Sequence, residues 1–190
     1  MRIGPGQFAS MRYTVKSLQK HGKLWFTEAD TFISDSSIGS HIQHGFPMTT
    51  KEQDKELLKR DFIYPLCEAT QAWWIDWSSG ISQYEENAFK PLMRRMQQIG
   101  RASLNMPLGS VFEIAAVVDQ ESLHTTPNSQ LMVNAIDRFR IHELPFIGTP
   151  IDYYETDDVI DGSEQKYKMY IFLNNYSMDD EEREKIENNL

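Results

Sequence analysis

The stretch Gly22-Lys23-Leu24-Trp25-Phe26-Thr27-Glu28-Ala29-Asp30-Thr31 decides how the first half of this 190-residue chain is read. Lys23 to Thr27 reads as a short buried strand, and Glu28 is the carboxylate it delivers at its C-terminal end. Barrels of alternating strands and helices carry their catalytic groups at that end of their strands. One helix later, Ala72-Trp73-Trp74-Ile75-Asp76-Trp77 reads as a second strand that also ends in an acid among aromatics.

The pattern extends outward from these two strands. Phe8, Met11, Val15 and Leu18 recur at helical spacing, which predicts a helix over 7–21 that Gly22 closes as a C-terminal cap. Residues 29–50 form a long polar loop of the kind that tends to carry function. Thr50 and Gln53 have the spacing of a capping box and open a helix to about Ala69. Leu57, Leu58, Phe62, Ile63 and Leu66 are expected to face inward, and Pro65 to kink that helix. The Trp-rich strand spans about 71–77, a third helix Asn87 to Ser103, and Asn105 to Gly109 reads as a linker.

Beyond the linker the character changes. Val111 to Val118 is an almost continuous apolar strand, as parallel sheets require, and it ends in Asp119. A helix at about 129–143, strands at about 151–154 and 167–173, and a last helix opening at Ser177–Asp180 follow. The acids at the start of that last helix suit its dipole. Both halves alternate helix and strand, which predicts an α/β class with parallel sheet and helices outside.

Bulk composition narrows the partners. A net charge of −9 makes nucleic acid and anionic membranes poor partners and leaves a neutral ligand indifferent. Cys67 is the lone cysteine, so no intrachain disulfide forms, and it is expected on a buried helix face. The opening Met1-Arg2-Ile3-Gly4-Pro5-Gly6 is not a secretory signal, and no apolar run reaches membrane-spanning length. These features favour a cytoplasmic compartment.

With both strands and the apolar run in view, the chain resembles the family-42 β-galactosidases and related retaining barrel glycosidases. Gly22 to Glu28 looks like the seventh strand of their (β/α)8 barrel with its nucleophile Glu, and Gln71 to Trp77 looks like the eighth. Glu113-Ile114-Ala115-Ala116-Val117-Val118-Asp119-Gln120-Glu121-Ser122 is similar to the opening of the flavodoxin-like trimerisation domain that follows that barrel. Gly148 to Tyr154 and Tyr170 to Asn174 continue the likeness in order. The family usually has Met or Ser before the nucleophile, where this chain has Thr27.

The resemblance implies a C-terminal portion of a (β/α)8 barrel over residues 1–104 and a partial flavodoxin-like parallel-sheet domain over 110–190. A whole barrel takes about 250 residues, so only its last strands fit. The family's acid/base Glu follows an Asn, and residues 1–100 contain no Asn-Glu pair. The expectation is therefore a fragment of a retaining glycoside hydrolase that carries the nucleophile but not the acid/base, and that is inactive alone. The full-length protein would act on a carbohydrate, a β-galactoside or related glycoside, and assemble as a homo-oligomer, a trimer. The alternative is a complete non-catalytic α/β interaction and oligomerisation module.

On this reading Glu28 attacks the anomeric carbon, and a second carboxyl about 5–5.5 Å away protonates the leaving oxygen. Its bland alternative is a strand-end Glu paired with a surface Lys. Trp25 is expected on the same side of the strand as Glu28, lining the barrel interior, or else packed in a core. Asp30 starts the following loop and either touches sugar hydroxyls or caps that loop. Trp73, Trp74 and Trp77 offer flat indole faces that match the C–H face of a pyranose. Trp77, at the strand end, is favoured as a site wall. Asp76 holds a substrate hydroxyl or pairs with an Arg such as Arg60. His41 and His44 lack a third ligand and make no metal motif. Asp119 to Ser122 lacks a glycine-rich phosphate cradle, so neither flavin nor nucleotide is expected, and no cofactor is assigned.

Overall fold

The structure, a computed structural model, describes residues 13–29, 50–76, 82–85, 87–106, 109–126, 136, 138–162 and 166–190. They form mixed α/β architecture with parallel sheets, divided between two compact units. One unit spans Trp25–Gly109. The other joins residues 13–24 to Ser110–Leu190.

The first unit runs β1 (Phe26–Ala29), α2 (Lys51–Cys67), β2 (Gln71–Trp74) and α3 (Lys90–Ser103). β1 and β2 are parallel, with Phe26 opposite Gln71, Thr27 opposite Ala72, Glu28 opposite Trp73 and Ala29 opposite Trp74. Glu28 thus lies inside β1, which starts three residues later than its sequence suggested. Thr50 caps α2 through the reciprocal pair with Gln53. The helix buries a stripe at Asp54, Leu57, Leu58, Asp61 and Pro65, continued by Glu68. That stripe corrects two expectations. Ile63 is exposed, and so is Cys67, because both fall off the row set by residues 54, 58, 61 and 65. Three acids share the buried row with leucines, so hydrophobicity alone misplaces it. Leu58, Phe89 and Met96 form the core, with Phe62, Trp74, Leu92 and Met93 around them. Phe62 stacks on Trp74 with ring centroids 6.3 Å apart.

The second unit opens with α1 (Val15–Lys20) and continues with β3 (Ile114–Val118), α4 (Gln120–Thr125), β4 (Ile151–Glu155), α5 (Thr156–Ile160), β5 (Met169–Phe172) and α6 (Asp180–Asn189). A π turn at Phe139–Glu143 lies in the described part of the helix expected at 129–143. The sheet order is β4-β3-β5, all parallel, with the apolar Ile114–Val118 run in the centre. Both faces are packed. Ala115, Val117, Tyr154, Val159 and Tyr167 fill one, and Ala116, Leu144, Ile151 and Tyr153 the other.

α1 belongs with this sheet rather than with the strand that follows it in sequence. Lys16 Nζ sits 3.4 Å from Asp152 Oδ1. Ser17 Oγ accepts from the Glu155 N–H at 2.8 Å, and Thr14 Oγ1 donates to the Glu155 carboxylate. Lys20 reaches Asp158 at 3.4 Å, and His21 Nε2 lies 2.8 Å from Asp158 Oδ1. A helix of six residues is too short to be stable by itself. These ties to β4 and α5 hold it.

Candidate functional site

Pleat alternation sorts the first unit's strands into two faces. Thr27, Ala29, Ala72 and Trp74 turn toward the packed side, while Phe26, Glu28, Gln71 and Trp73 are exposed on the other. In the parallel register Glu28 stands directly opposite Trp73, which puts the two Cα atoms about 4.8 Å apart. The result is a carboxylate beside an indole that is 50 % exposed, with Phe26 55 % exposed next to them. A carboxylate and an exposed indole at facing register positions can share one ligand, the acid bonding a hydroxyl and the ring packing on C–H groups. Beyond β2, Tyr84 Oη donates to the Ile75 carbonyl at 2.9 Å and fixes the strand's exit.

The expected site residues separate on this frame. Glu28 is on the open face. Trp25 is three residues before it, so alternation puts Trp25 with Thr27 and Ala29, and the expectation that it shares Glu28's side is corrected. Asp76 is exposed two residues past β2, in the parity of Trp74 rather than Trp73. Arg60, offered as its partner, bonds Asp61 with Nη2 at 2.6 Å. Asp30, Trp77, His41 and His44 lie outside the described residues. Trp73 is the neighbour that sequence reasoning passed over in favour of Trp77. The signal that finds it is the parity count from Glu28 combined with the parallel register.

In the second unit the carboxyl ends of β3 and β5 meet in a polar cluster. The Asp119 N–H donates to Asn174 Oδ1 at 2.8 Å, and Asn174 Nδ2 returns a bond to the Asp119 carbonyl at 2.6 Å. Asp119 also caps α4 by accepting from the Ser122 N–H at 2.8 Å. Ser122 Oγ accepts from the Tyr176 and Ser177 N–H groups at 2.9 and 3.0 Å. Open parallel sheets bind ligands at this edge, where the chain reverses direction across the sheet. Here the protein's own Ser122 and Asn174, both almost fully buried, stitch the two loops together. Nearby, Glu155 is pushed above the usual carboxylate range by burial, against the hydrogen bonds from Thr14 and Gln120.

A third polar group lies within that unit's core. Asp152, fully buried, receives the Tyr167 hydroxyl at 2.7 Å and the Ser110 hydroxyl as well as Lys16. Tyr154 and Tyr167 share a bond at 3.0 Å, and burial raises both phenols above their ordinary value. Among the described residues no group of His, Cys, Asp or Glu is placed to hold a metal ion. None of their helices is long and apolar enough to cross a membrane. Compared with family models, with curated proteins and with solved structures, the chain matches none.

Proposed function

We propose that the chain carries part of a retaining glycoside hydrolase of the β-galactosidase-like kind, with Glu28 as its nucleophile and without its acid/base. The observation that carries this reading is the in-register pairing of Glu28 with the exposed Trp73 on the open face of a parallel strand–helix–strand unit. A barrel strand presents its reactive acid on the inward face near the C-terminal end, and Glu28 is the third of four residues in β1. The second unit's order, second strand–first strand–third strand, agrees with the opening of a flavodoxin-like sheet. Under this reading that unit serves subunit association.

Alone, the chain does not turn over substrate. Loss of a general acid costs about 10²–10⁴ in rate, and the strands that would supply the remaining sugar contacts are not part of it. The test is binding first, then turnover. Galactose should perturb tryptophan fluorescence of the chain, and Trp73→Phe should abolish the change. No change in the parent chain rejects the sugar site. Turnover of an aryl β-galactoside that Glu28→Gln abolishes would keep the nucleophile and reject the fragment reading.

One observation favours a second reading. Phe26 and Trp73 leave an apolar surface open on a parallel sheet, a kind that is almost always covered on both faces. A non-catalytic module that assembles through this surface would form a defined oligomer in solution and leave galactose unbound.

A further inference from the structure

From Asn87 to Phe112 the chain contains no Asp or Glu, yet it carries Lys90, Arg94, Arg95 and Arg101 within a sequence of net charge −9. α3 turns Met96 into the core and packs Leu92 and Met93 beside it. Its outer stripe, Lys90, Pro91, Arg94, Arg95 and Gln98, joins Asn87 to line an open concavity of about 470 Å³. That volume falls in the range of about 300–1,000 Å³ typical of small-ligand pockets.

Among the described residues no carboxylate lines it. Lys90 is paired with Glu85, whose carboxyl is held below its ordinary range by that hydrogen bond and by the ammonium's charge. Arg60, Arg138 and Arg183 each have a carboxylate within ion-pair distance. Among the described residues, neither Arg94 nor Arg95 has a carboxylate within that distance. Arg94 lies near enough to Glu85 to help hold that carboxyl down, but Glu85 is already bonded to Lys90, and two adjacent guanidinium forks that repel each other are suited to bidentate capture of an oxyanion. The start of α3 adds to the field. Its first turn holds no acid, and Phe89 at the N-cap supplies no side-chain acceptor.

We propose that this concavity binds a free phosphate-bearing ligand of two or more negative charges. Arg94 and Arg95 grip the phosphate oxygens, Lys90 adds charge, and the Asn87 and Gln98 amides bond the groups beside the phosphate. The chain's overall negative charge opposes an anionic bilayer, which favours a soluble ligand over a lipid headgroup.

The probe is inorganic pyrophosphate, titrated by calorimetry and by amide shifts of residues in α3. Binding should weaken about a hundredfold in Arg94→Gln/Arg95→Gln, since each charged hydrogen bond is worth about a factor of ten and the variant removes at least two. Both side chains are exposed, so the circular dichroism spectrum should not change. The control Lys55→Gln/Lys59→Gln removes equal charge elsewhere and should leave binding intact. Absent binding, equal weakening in the control, or indifference to the arginine variant overturns the proposal. Association with phosphatidylcholine vesicles containing phosphatidic acid, without pyrophosphate binding, overturns the free ligand.

Discussion

The sheet centred on β3 and the β1–β2 pair are both parallel, both crossed by helices, and differ in how many faces they cover. β3 reads Ile-Ala-Ala-Val-Val, and both its faces are packed. β1 reads Phe-Thr-Glu-Ala and β2 reads Gln-Ala-Trp-Trp, and only the side bearing Ala29 and Trp74 reaches the core. A run without polar residues must be buried on both sides. A strand with one acid and one aromatic on its outer face is instead a surface whose purpose has to be sought. The difference also separates the polar groups. In the three-stranded sheet they are buried among partners of the same unit, as at Ser122 and at Asp152, whose Oδ2 takes two hydroxyls while among the described residues its Oδ1 has only the Lys16 ammonium at 3.4 Å. In the two-stranded one Glu28 faces solvent.

The sharpest way to break that contrast is at Asp152. Asp152→Ala would leave Lys16 and the Tyr167 hydroxyl facing an apolar core. Removing one partner of a buried pair costs about 3–5 kcal/mol, so urea denaturation should report a loss of that order. A loss below about 1 kcal/mol would mean that α1 is not held by this carboxylate and that the network is incidental. Next in size is Ser122→Ala, which strips a buried acceptor from the N–H groups of the exposed Tyr176 and Ser177. Each lost bond is worth about 0.5–1.5 kcal/mol net, the Tyr176 N–H keeps the Asn174 carbonyl at 2.9 Å, and amide exchange at Ser177 should accelerate more than at Tyr176.

Two helix ends give a smaller effect with the opposite sign. α1 ends with Gly22 at φ +65°, its N–H bonding Gln19 O at 3.0 Å while Lys23 N–H reaches Leu18 O at 2.8 Å. α2 ends in the same motif, Ala69 N–H to Leu66 O and Thr70 N–H to Pro65 O, but with Ala69 at φ +54°. A Cβ in this left-handed region costs about 1–2 kcal/mol, of which glycine's chain entropy returns part. Ala69→Gly should therefore stabilise the first unit by about 1 kcal/mol, and an unchanged melting midpoint would count against that strain.

Local signals in the sequence carried much of this fold. The Thr50–Gln53 box, the Gly22 cap and the apolar Ile114–Val118 run each act over a few residues, and each appears where its chemistry places it. What failed to show depends on long-range partners. α1 looked like part of the first unit because it is adjacent in sequence, whereas Lys16, Lys20 and His21 find Asp152 and Asp158 more than a hundred residues away. α2's buried row escaped hydrophobic counting because Asp54, Asp61 and Glu68 occupy it. The candidate site was half legible. Glu28 stood out as a strand-borne acid, but its neighbour Trp73 follows only from the register between two strands separated by a helix.

The smallest expected effect is the one that tests what Glu28 is for. An exposed strand residue away from buried networks changes stability by about ±0.5 kcal/mol when truncated, so Glu28→Ala should leave the unfolding midpoint within that range. Galactose-dependent fluorescence should nevertheless disappear in the same variant. A residue that stability ignores and binding requires is held for function. A Glu28→Ala chain that melts well below the parent would place the carboxylate in a structural contact, and the contrast between a sealed sheet and an open one would lose its meaning.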